Sequence, residues 1–145
     1  MDNACFVVLV VDDYPAWRYF VRSAIEQHAP SSRILEAADG LEAVGMATAL
    51  QPDLITLDIG LPKLNGIEAA RQIRHKSPGS KILFVTQEQS LEIAQEALAA
   101  GGLGYLVKSD GKGILIEAVD TIMQGGRYIS HNVEVSGEKS GALSA

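Results

Sequence analysis

Five polar side chains stand at the ends of short apolar runs, where strands are predicted to finish. Three of them are carboxylates, one is a hydroxyl and one is an ammonium group. They are Asp12, Asp13, Asp58, Thr86 and Lys108. Carboxylate oxygens are the ligands that hard divalent cations prefer, and a metal-shielded carboxylate can attack phosphorus. The set predicts a Mg²⁺-dependent site at which an aspartate accepts a phosphoryl group.

Asp58 is the residue expected to act as the nucleophile, because it ends an apolar run and precedes a turn-forming segment. Carboxylates at Asp12 and Asp13 would repel it, and a bound cation offsets that repulsion most simply. Lys108 would place a positive charge on the phosphoryl oxygens, and Thr86 would donate a hydrogen bond to another of them. Taken alone, a strand-end Thr is more often a satisfied loop hydroxyl and a lone Lys a solvated surface charge. Their joint occurrence on four strand ends is more specific.

The elements that must position these groups alternate between strands and helices. Runs rich in β-branched residues predict five strands, and apolar residues at three- and four-residue spacing between them predict five amphipathic helices. The predicted strands are residues 6–11, 33–37, 54–58, 81–85 and 104–107. The first, third and fourth are nearly continuous apolar runs, which is typical of parallel strands covered on both faces.

This alternation predicts an α/β fold, a flavodoxin-like (βα)₅ doubly wound parallel sheet. The strand order 2-1-3-4-5 is inferred by analogy with such folds. Ligands then bind beyond the carboxyl ends of the strands, at the switch point between strands 1 and 3. That point lies beside Asp12, Asp13 and Asp58.

Composition limits the classes of function. The chain has 145 residues, 47% of them hydrophobic and 21% charged, which is typical of one globular domain. Its formal charge of −6 gives no electrostatic reason to bind nucleic acid or anionic lipid. The longest apolar stretch is far below the ~18 residues of a membrane span, so a cytoplasmic protein is expected. The lone Cys5 is expected to be a small core residue, and the three scattered histidines do not predict a zinc site.

Two segments are predicted along the chain. Residues 1–126 are expected to form one folded domain, and residues 127–145 a linker or flexible tail. The residues from 136 onward are small and polar without apolar periodicity.

Four short motifs carry a resemblance to a known family. They are VVDDY at residues 10–14, LDIGLP at 57–62, FVT at 84–86 and GYLVK at 104–108. With them, the chain resembles the receiver domain of bacterial two-component response regulators from about residue 5 to residue 125. The resemblance implies that a sensor histidine kinase phosphorylates Asp58. It implies that Asp13, Asp58 and the Gly60 carbonyl bind Mg²⁺ directly, while Asp12 acts largely through water.

The resemblance also implies a switch. In that family the hydroxyl at Thr86 turns toward the phosphoryl group and the aromatic ring at Tyr105 repacks inward, which changes the surface of helix 4, strand 5 and helix 5. On spacing alone, a half-buried strand aromatic without a switching role is the favoured interpretation of Tyr105, and the resemblance to the family reverses that preference. Such a domain is not a conventional enzyme, but it is expected to assist its own phosphorylation and autodephosphorylation.

Two residues depart from the family pattern. Gln87 stands where the family usually has Ala, Gly or Ser, and its amide either leans over the phosphorylation pocket or points to solvent. Ser109 stands where many receivers have a proline after a cis peptide bond. The loop after Lys108 is therefore expected to be either locally strained or trans.

The segment at residues 125–130 resembles the exit from receivers that precede a LuxR-type helix-turn-helix domain. This favours a fragment of a transcriptional regulator, which would contact DNA only through its output domain, over a stand-alone receiver that acts through protein contacts. Homodimerisation is left open.

Three functions from other classes compete with this interpretation. A haloacid-dehalogenase-type phosphatase would need a second carboxylate at the position of Gly60. A flavodoxin-like FMN module would place repelling carboxylates, Asp12 and Asp13, beside the phosphate. A degenerate receiver would lack a phosphoryl label at Asp58. Turnover of a phosphate ester, flavin absorbance and the Mg²⁺-dependent label distinguish them.

Overall fold

A parallel sheet runs through the protein with its strands in the order β2-β1-β3-β4-β5-β6. A computed structural model describes residues 6–135 and 138–139. The strands are β1 (Val7–Val11), β2 (Arg33–Ala37), β3 (Leu54–Leu57), β4 (Lys81–Thr86), β5 (Gly102–Val107) and β6 (Tyr128–Ile129). The predicted order 2-1-3-4-5 and the doubly wound class are confirmed. β4 and β5 are each slightly longer than predicted, because Thr86 and Gly102 join the ladder between them.

Helices cover both faces of the sheet and divide the core in two. They are α1 (Pro15–His28), α2 (Gly40–Leu50), α3 (Gly66–Lys76), α4 (Leu91–Ala99) and α5 (Lys112–Met123). The apolar faces of α1 and α5 pack on one side, and those of α2, α3 and α4 on the other. Strand residues alternate between the two cores: Val8 and Val10 face α1 and α5, whereas Leu9 and Val11 face the other layer.

Side-chain caps fix where three helices begin. Asp39 accepts a hydrogen bond from the Glu42 N–H, Asn65 from the Glu68 N–H, and Ser90 from the Ile93 N–H. Each cap satisfies a backbone donor that the first helical turn leaves unpaired. α1 begins with Pro15 instead, whose fixed φ suits the first helical position. The loops before these helices are thereby held at the carboxyl edge of the sheet.

The strand register brings the chemically interesting residues to one edge. Val11 pairs with Leu57, and Leu57 pairs with Phe84, so the residues after β1 and β3 emerge side by side with the end of β4. Thr86 pairs with Val107, the residue before Lys108. The parallel pairing therefore gathers at one edge four segments that are far apart in sequence.

Gly66 allows α3 to start directly beneath Asp58. A Cβ at this position would lie 1.9 Å from the Asp58 carbonyl oxygen, so no other residue fits without moving the backbone. The Gly66 N–H also donates to the Ile59 carbonyl at 2.8 Å. The loop after β3 is therefore held tightly against the first turn of α3.

A sixth strand extends the sheet beyond the predicted five. β6 runs parallel to β5, the Ser130 N–H donates to the Tyr105 carbonyl at 2.8 Å, and Val133 is completely buried. A domain boundary after residue 126 stays a prediction, but the chain continues to pack on the domain past that point. A two-stranded antiparallel pair follows, formed by β7 (Glu134–Val135) and β8 (Glu138–Lys139).

Some expectations fall on residues that the structure does not describe. Cys5 lies outside the described residues, and so does most of the predicted tail from residue 136 onward. No helix in the described part of the chain is long and apolar enough to cross a membrane.

Replacing Val133 with Ala is expected to lower the free energy of unfolding by about 2 kcal/mol, because it removes two buried methyl groups and leaves a cavity. Urea denaturation followed by circular dichroism measures the change. Unaltered stability would show that the Val133 side chain contributes no packing energy in solution.

Candidate functional site

An ammonium group lies between two buried carboxylates at the carboxyl edge of the sheet. Lys108 Nζ is 2.8 Å from Asp12 Oδ2 and 3.2 Å from Asp58 Oδ2. Only 12% of the Lys108 side chain is exposed, against 3% for Asp12 and 10% for Asp58. Removing one member of such a group would leave an uncompensated charge in a poorly solvated place, so the three side chains hold one another in position.

Backbone amides orient both buried carboxylates. Asp12 Oδ1 accepts a hydrogen bond from the Tyr14 N–H at 2.9 Å, and Asp58 Oδ1 accepts one from the Ile59 N–H at 2.7 Å. In each case the second oxygen is the one that contacts Lys108. The carboxylate planes are therefore set by the main chain of the loops that follow β1 and β3.

Asp13 completes a cluster that suits a hard cation. Oxygen atoms of Asp12, Asp13 and Asp58 all lie within 4.8 Å of one another, and Asp13 is exposed while the other two are buried. Three carboxylates and one ammonium leave two net negative charges, which a divalent cation neutralises. Three hard oxygen donors at this spacing fit such an ion and leave positions for water and phosphate oxygens.

Burial changes the proton affinity of this cluster. It raises the pKa of Asp12 above the ordinary 3.8, and the charge of Asp58 acts in the same direction, while hydrogen bonds from Lys108 and from the Tyr14 N–H oppose it. Burial would lower the pKa of Lys108, but its hydrogen bond to Asp12 and the charges of both carboxylates outweigh this effect and raise it. Lys108 is therefore a cation at physiological pH.

An open cavity of about 730 Å³ lies in front of the cluster. It is wide enough for a phosphoryl group with a hydrated cation. Its lining includes Asp13, Asp58, Gly60, Thr86, Gln87 and Lys108. The structure thus brings all five sequence-predicted chemical side chains together: four line the cavity, and Asp12 contacts one of them, Lys108.

The main chain of Glu88 connects Thr86 with Tyr105. The Glu88 N–H donates to Thr86 Oγ1 at 3.3 Å, and the Tyr105 hydroxyl donates to the Glu88 carbonyl at 2.9 Å. Thr86 is 3% exposed and Tyr105 is fully buried, with its ring facing Phe84. Of the two interpretations of Tyr105, the half-buried aromatic is wrong about burial, because this ring lies wholly in the core and reaches the loop after β4.

Arg18 and Trp17 also belong to the site, although the sequence does not predict this. Arg18 donates from Nη1 to the Asp12 carbonyl at 2.7 Å and from Nε to Glu36 Oε1 at 2.9 Å, which holds the loop after β1. The Trp17 ring lies beside Lys108, with its centroid 5.3 Å from Nζ. The sequence shows Trp17 only as a member of an apolar stripe, and a main-chain acceptor such as the Asp12 carbonyl leaves no trace in sequence.

The loop after Lys108 follows a trans path. No cis peptide bond occurs among the described residues, and residues Lys108–Asp110 form a short 3₁₀ turn. Asp110 Oδ2 accepts a hydrogen bond from the Val107 N–H at 3.0 Å, which closes the turn. The open question about the Lys108–Ser109 bond is thereby resolved in favour of the trans form.

Comparison with known families identifies the domain. Residues 8–120 match the response regulator receiver domain. The chain belongs to this family. The receiver fold and the acidic pocket at the ends of β1 and β3 therefore occur together here, as the sequence motifs predict.

Transcriptional regulators are among the similar proteins. The chain is 32% identical over 126 residues to the transcriptional regulatory protein DegU of Brevibacillus brevis, covering 87% of the chain and 53% of DegU. It is 30% identical over 128 residues to the nitrate/nitrite response regulator protein NarP of Escherichia coli strain K12, covering 88% and 60%. This receiver thus spans little more than half the length of these two relatives.

A solved structure shares the architecture closely. A two-component response regulator of the LuxR family from Aurantimonas sp. SI85-9A1 superposes with a TM-score of 0.83 at 34% identity, covering 90% of this chain and 93% of that one. Enzymes also occur among the relatives: a protein-glutamate methylesterase/protein-glutamine glutaminase of Thermotoga maritima is 40% identical over 77% of this chain, but over only 33% of its own length. The match therefore covers most of this chain but only a third of that enzyme.

As the pH is lowered, Mg²⁺ affinity is expected to begin to decrease at a higher pH than it would with an aspartate of ordinary pKa. The reason is the raised pKa of Asp12, which takes up its proton above pH 3.8. Protonation removes a negative charge that attracts the cation. Calorimetric titration with MgCl₂ at a series of pH values between 7 and 4 measures the effect. In Asp12→Asn the loss should begin at lower pH, and parallel curves for the two proteins would contradict the prediction.

Proposed function

We propose that this receiver domain accepts a phosphoryl group on Asp58 from a sensor histidine kinase. The observation that supports this most directly is the placement of Lys108 Nζ against Asp58 at the mouth of a cavity that Thr86 also lines. A carboxylate, an ammonium and a hydroxyl line the same cavity, which has room for a phosphoryl group and a hydrated cation. These are the groups that phosphoryl transfer requires.

The transfer forms one bond and breaks one. An oxygen of Asp58 forms the new bond to phosphorus, while the bond between phosphorus and the donor nitrogen of a phosphohistidine breaks and its electron pair stays on the imidazole. Lys108 and the Thr86 hydroxyl are placed to contact oxygens of the transferred group. The signal would end when water attacks phosphorus, the Asp58 oxygen leaves as a carboxylate, and inorganic phosphate and a proton are released. The groups that contact the phosphoryl oxygens would assist this autodephosphorylation as well.

Mg²⁺ is the cation proposed for the carboxylate cluster. Asp13, Asp58 and the Gly60 carbonyl would hold it directly, and Asp12 through water. Bound there, it would shield the negative charges that otherwise oppose approach of a phosphoryl group. The oxygen-only donor set, the two unbalanced negative charges and the exposure of Asp13 support this choice.

Thr86 and Tyr105 are proposed as the switch. Both are tied to the main chain of Glu88, so a Thr86 hydroxyl that turns to the phosphoryl group would release the Glu88 N–H. The loop between β4 and α4 would then move with the Tyr105 ring. Phosphorylation adds about two negative charges, which is enough to bias such a two-state element.

The relatives suggest where the signal goes. DegU is named a transcriptional regulatory protein, and NarP is named a nitrate/nitrite response regulator protein. We propose that this receiver controls a LuxR-type output domain that contacts DNA, in the cytoplasm, through the surface of α4, β5 and α5. Homodimerisation through the receiver is part of this proposal and is measured by light scattering with and without beryllofluoride.

Incubation with ³²P-labelled acetyl phosphate and Mg²⁺ is expected to label the wild-type protein, and Asp58→Asn is expected to abolish the label because it removes the nucleophile. The label should disappear when EDTA is added beforehand. Phosphate-affinity gels and mass spectrometry of the intact protein measure it.

The matched control for Asp58→Asn is Asp53→Asn, at the opposite end of β3. Asp53 is exposed and accepts a hydrogen bond from the Val7 N–H, far from the cavity. It should be labelled like the wild type. Labelling that persists in Asp58→Asn would refute the assignment, turnover of p-nitrophenyl phosphate would favour the phosphatase, and absence of any label would favour a degenerate receiver.

Gln87→Ala is expected to increase the rate of labelling by acetyl phosphate, because Gln87 is exposed and lines the cavity through which a small donor enters. The time course of label incorporation at fixed donor concentration measures the rate. Gln89→Ala is the control, since Gln89 is exposed but does not belong to the cavity lining. Equal rates for Gln87→Ala and the wild type would mean that the amide points to solvent.

A further inference from the structure

Lys108 needs a restraint that does not depend on its carboxylate partners. Its side chain has four rotatable bonds, and its ammonium contacts Asp12 and Asp58, the carboxylates that also take part in the proposed binding of a cation and a phosphoryl group. When those carboxylates are engaged, the ion pairs that hold Lys108 weaken. A contact that does not compete for them would keep the ammonium at the cavity.

Trp17 supplies such a contact. Lys108 Nζ lies over the Trp17 ring, 5.3 Å from its centroid. At this distance a cation is attracted to the negative face of an aromatic ring, and Trp is the strongest partner of this kind. Only 12% of the Lys108 side chain is exposed, so solvent competes little with the contact.

Packing alone does not explain why residue 17 is a tryptophan. Its ring packs against Phe20 at a centroid distance of 4.7 Å, which Phe would do equally well. Its Nε1, however, is buried without a hydrogen-bond partner among the residues that the structure describes. A buried unpaired N–H costs stability, which a phenylalanine would avoid. The indole is thus poorly suited as a mere core residue and well suited as a platform for a cation.

We propose that Trp17 is a positioning residue for Lys108: the face of its indole ring holds the ammonium group at the cavity and so places it for the incoming phosphoryl group. The contact between the ring and the ammonium group concerns the unphosphorylated protein. The placement of Lys108 for the incoming phosphoryl group rests on the proposed phosphorylation of Asp58. Trp17 touches neither phosphorus nor the metal and acts through Lys108 alone.

The position of Lys108 is tested in the unphosphorylated protein. The ε-methylene protons of Lys108 should be shifted upfield by the Trp17 ring current in a ¹H–¹³C NMR spectrum. The shift should move to the ordinary lysine value in Trp17→Met, which keeps apolar volume but has no ring, and should largely persist in Trp17→Phe. An unchanged Lys108 shift in Trp17→Met would overturn the proposal whatever the outcome of phosphorylation.

The consequence is tested by labelling kinetics with acetyl phosphate and Mg²⁺. Trp17→Met is expected to slow the labelling of Asp58 by about 3-fold or more, since 3-fold corresponds to an exposed cation–π contact and a desolvated one is stronger. Trp17→Phe should retain most of the rate. Phe20→Met is the matched control, because it alters the neighbouring ring of the same cluster without touching the contact with Lys108, and it should label like the wild type.

A double-mutant cycle separates positioning from general destabilisation. In a Lys108→Met background, Trp17→Met should cause no further loss of rate, because no ammonium remains to be positioned. An equal loss in both backgrounds would overturn the proposal in favour of a structural role. If the wild type takes no label while the Lys108 shift still depends on Trp17, the proposed function fails but the placement of Lys108 by Trp17 stands.

Discussion

The ion cluster of Lys108 with Asp12 and Asp58 is the constraint on which the rest of the site depends. Two carboxylates that point into one poorly solvated space repel each other, and the fold tolerates them because a cation is placed between them. That cation comes from the end of β5, whereas the carboxylates come from the ends of β1 and β3. The site is therefore complete only when strands from across the sheet are correctly ordered.

The cluster remains incompletely neutralised, and this is what makes it chemically useful. With Asp13 included, its carboxylates outnumber the single ammonium, so the edge of the sheet attracts a divalent cation and repels a free phosphoryl group until one binds. The loop after β3 must lie close to α3 to present Asp58 in this way. Gly66 permits that approach, which shows how a residue without a side chain determines the geometry of a carboxylate.

Much of the fold and the site follows from sequence, because both depend on patterns that local physics imposes. Continuous apolar runs that end in a polar residue mark buried parallel strands, and these locate the five chemical side chains. The hydrogen bonds of the Glu88 main chain and the one from Arg18 to the Asp12 carbonyl could not be predicted. They involve main-chain groups, which are the same in nearly every residue and so leave no pattern in the sequence. The two-residue strand β6 is also too short for any periodicity to appear.

Trp17, the aromatic partner of Lys108, is a second contact that the sequence does not predict. Trp17 obeys the helical spacing of its apolar neighbours, so its sequence position predicts burial and nothing else. Only the crossing of α1 past the end of β5 reveals that one face of the ring meets a charge. A residue can thus satisfy the pattern of a core position while its electronic character serves the adjacent site.

The segment after α5 is hydrogen-bonded to the same part of the domain that contains Tyr105 and Lys108. Ser130 is bonded to the carbonyl of Tyr105, the same residue whose hydroxyl reaches the loop beside Thr86, and Asn132 is bonded to Asp110 in the turn that follows Lys108. This segment is therefore bonded once to β5 and once to the turn that follows β5. Because Ser130 and Asn132 are bonded directly to β5 and its following turn, a displacement of β5 would reach this segment without passing through α5.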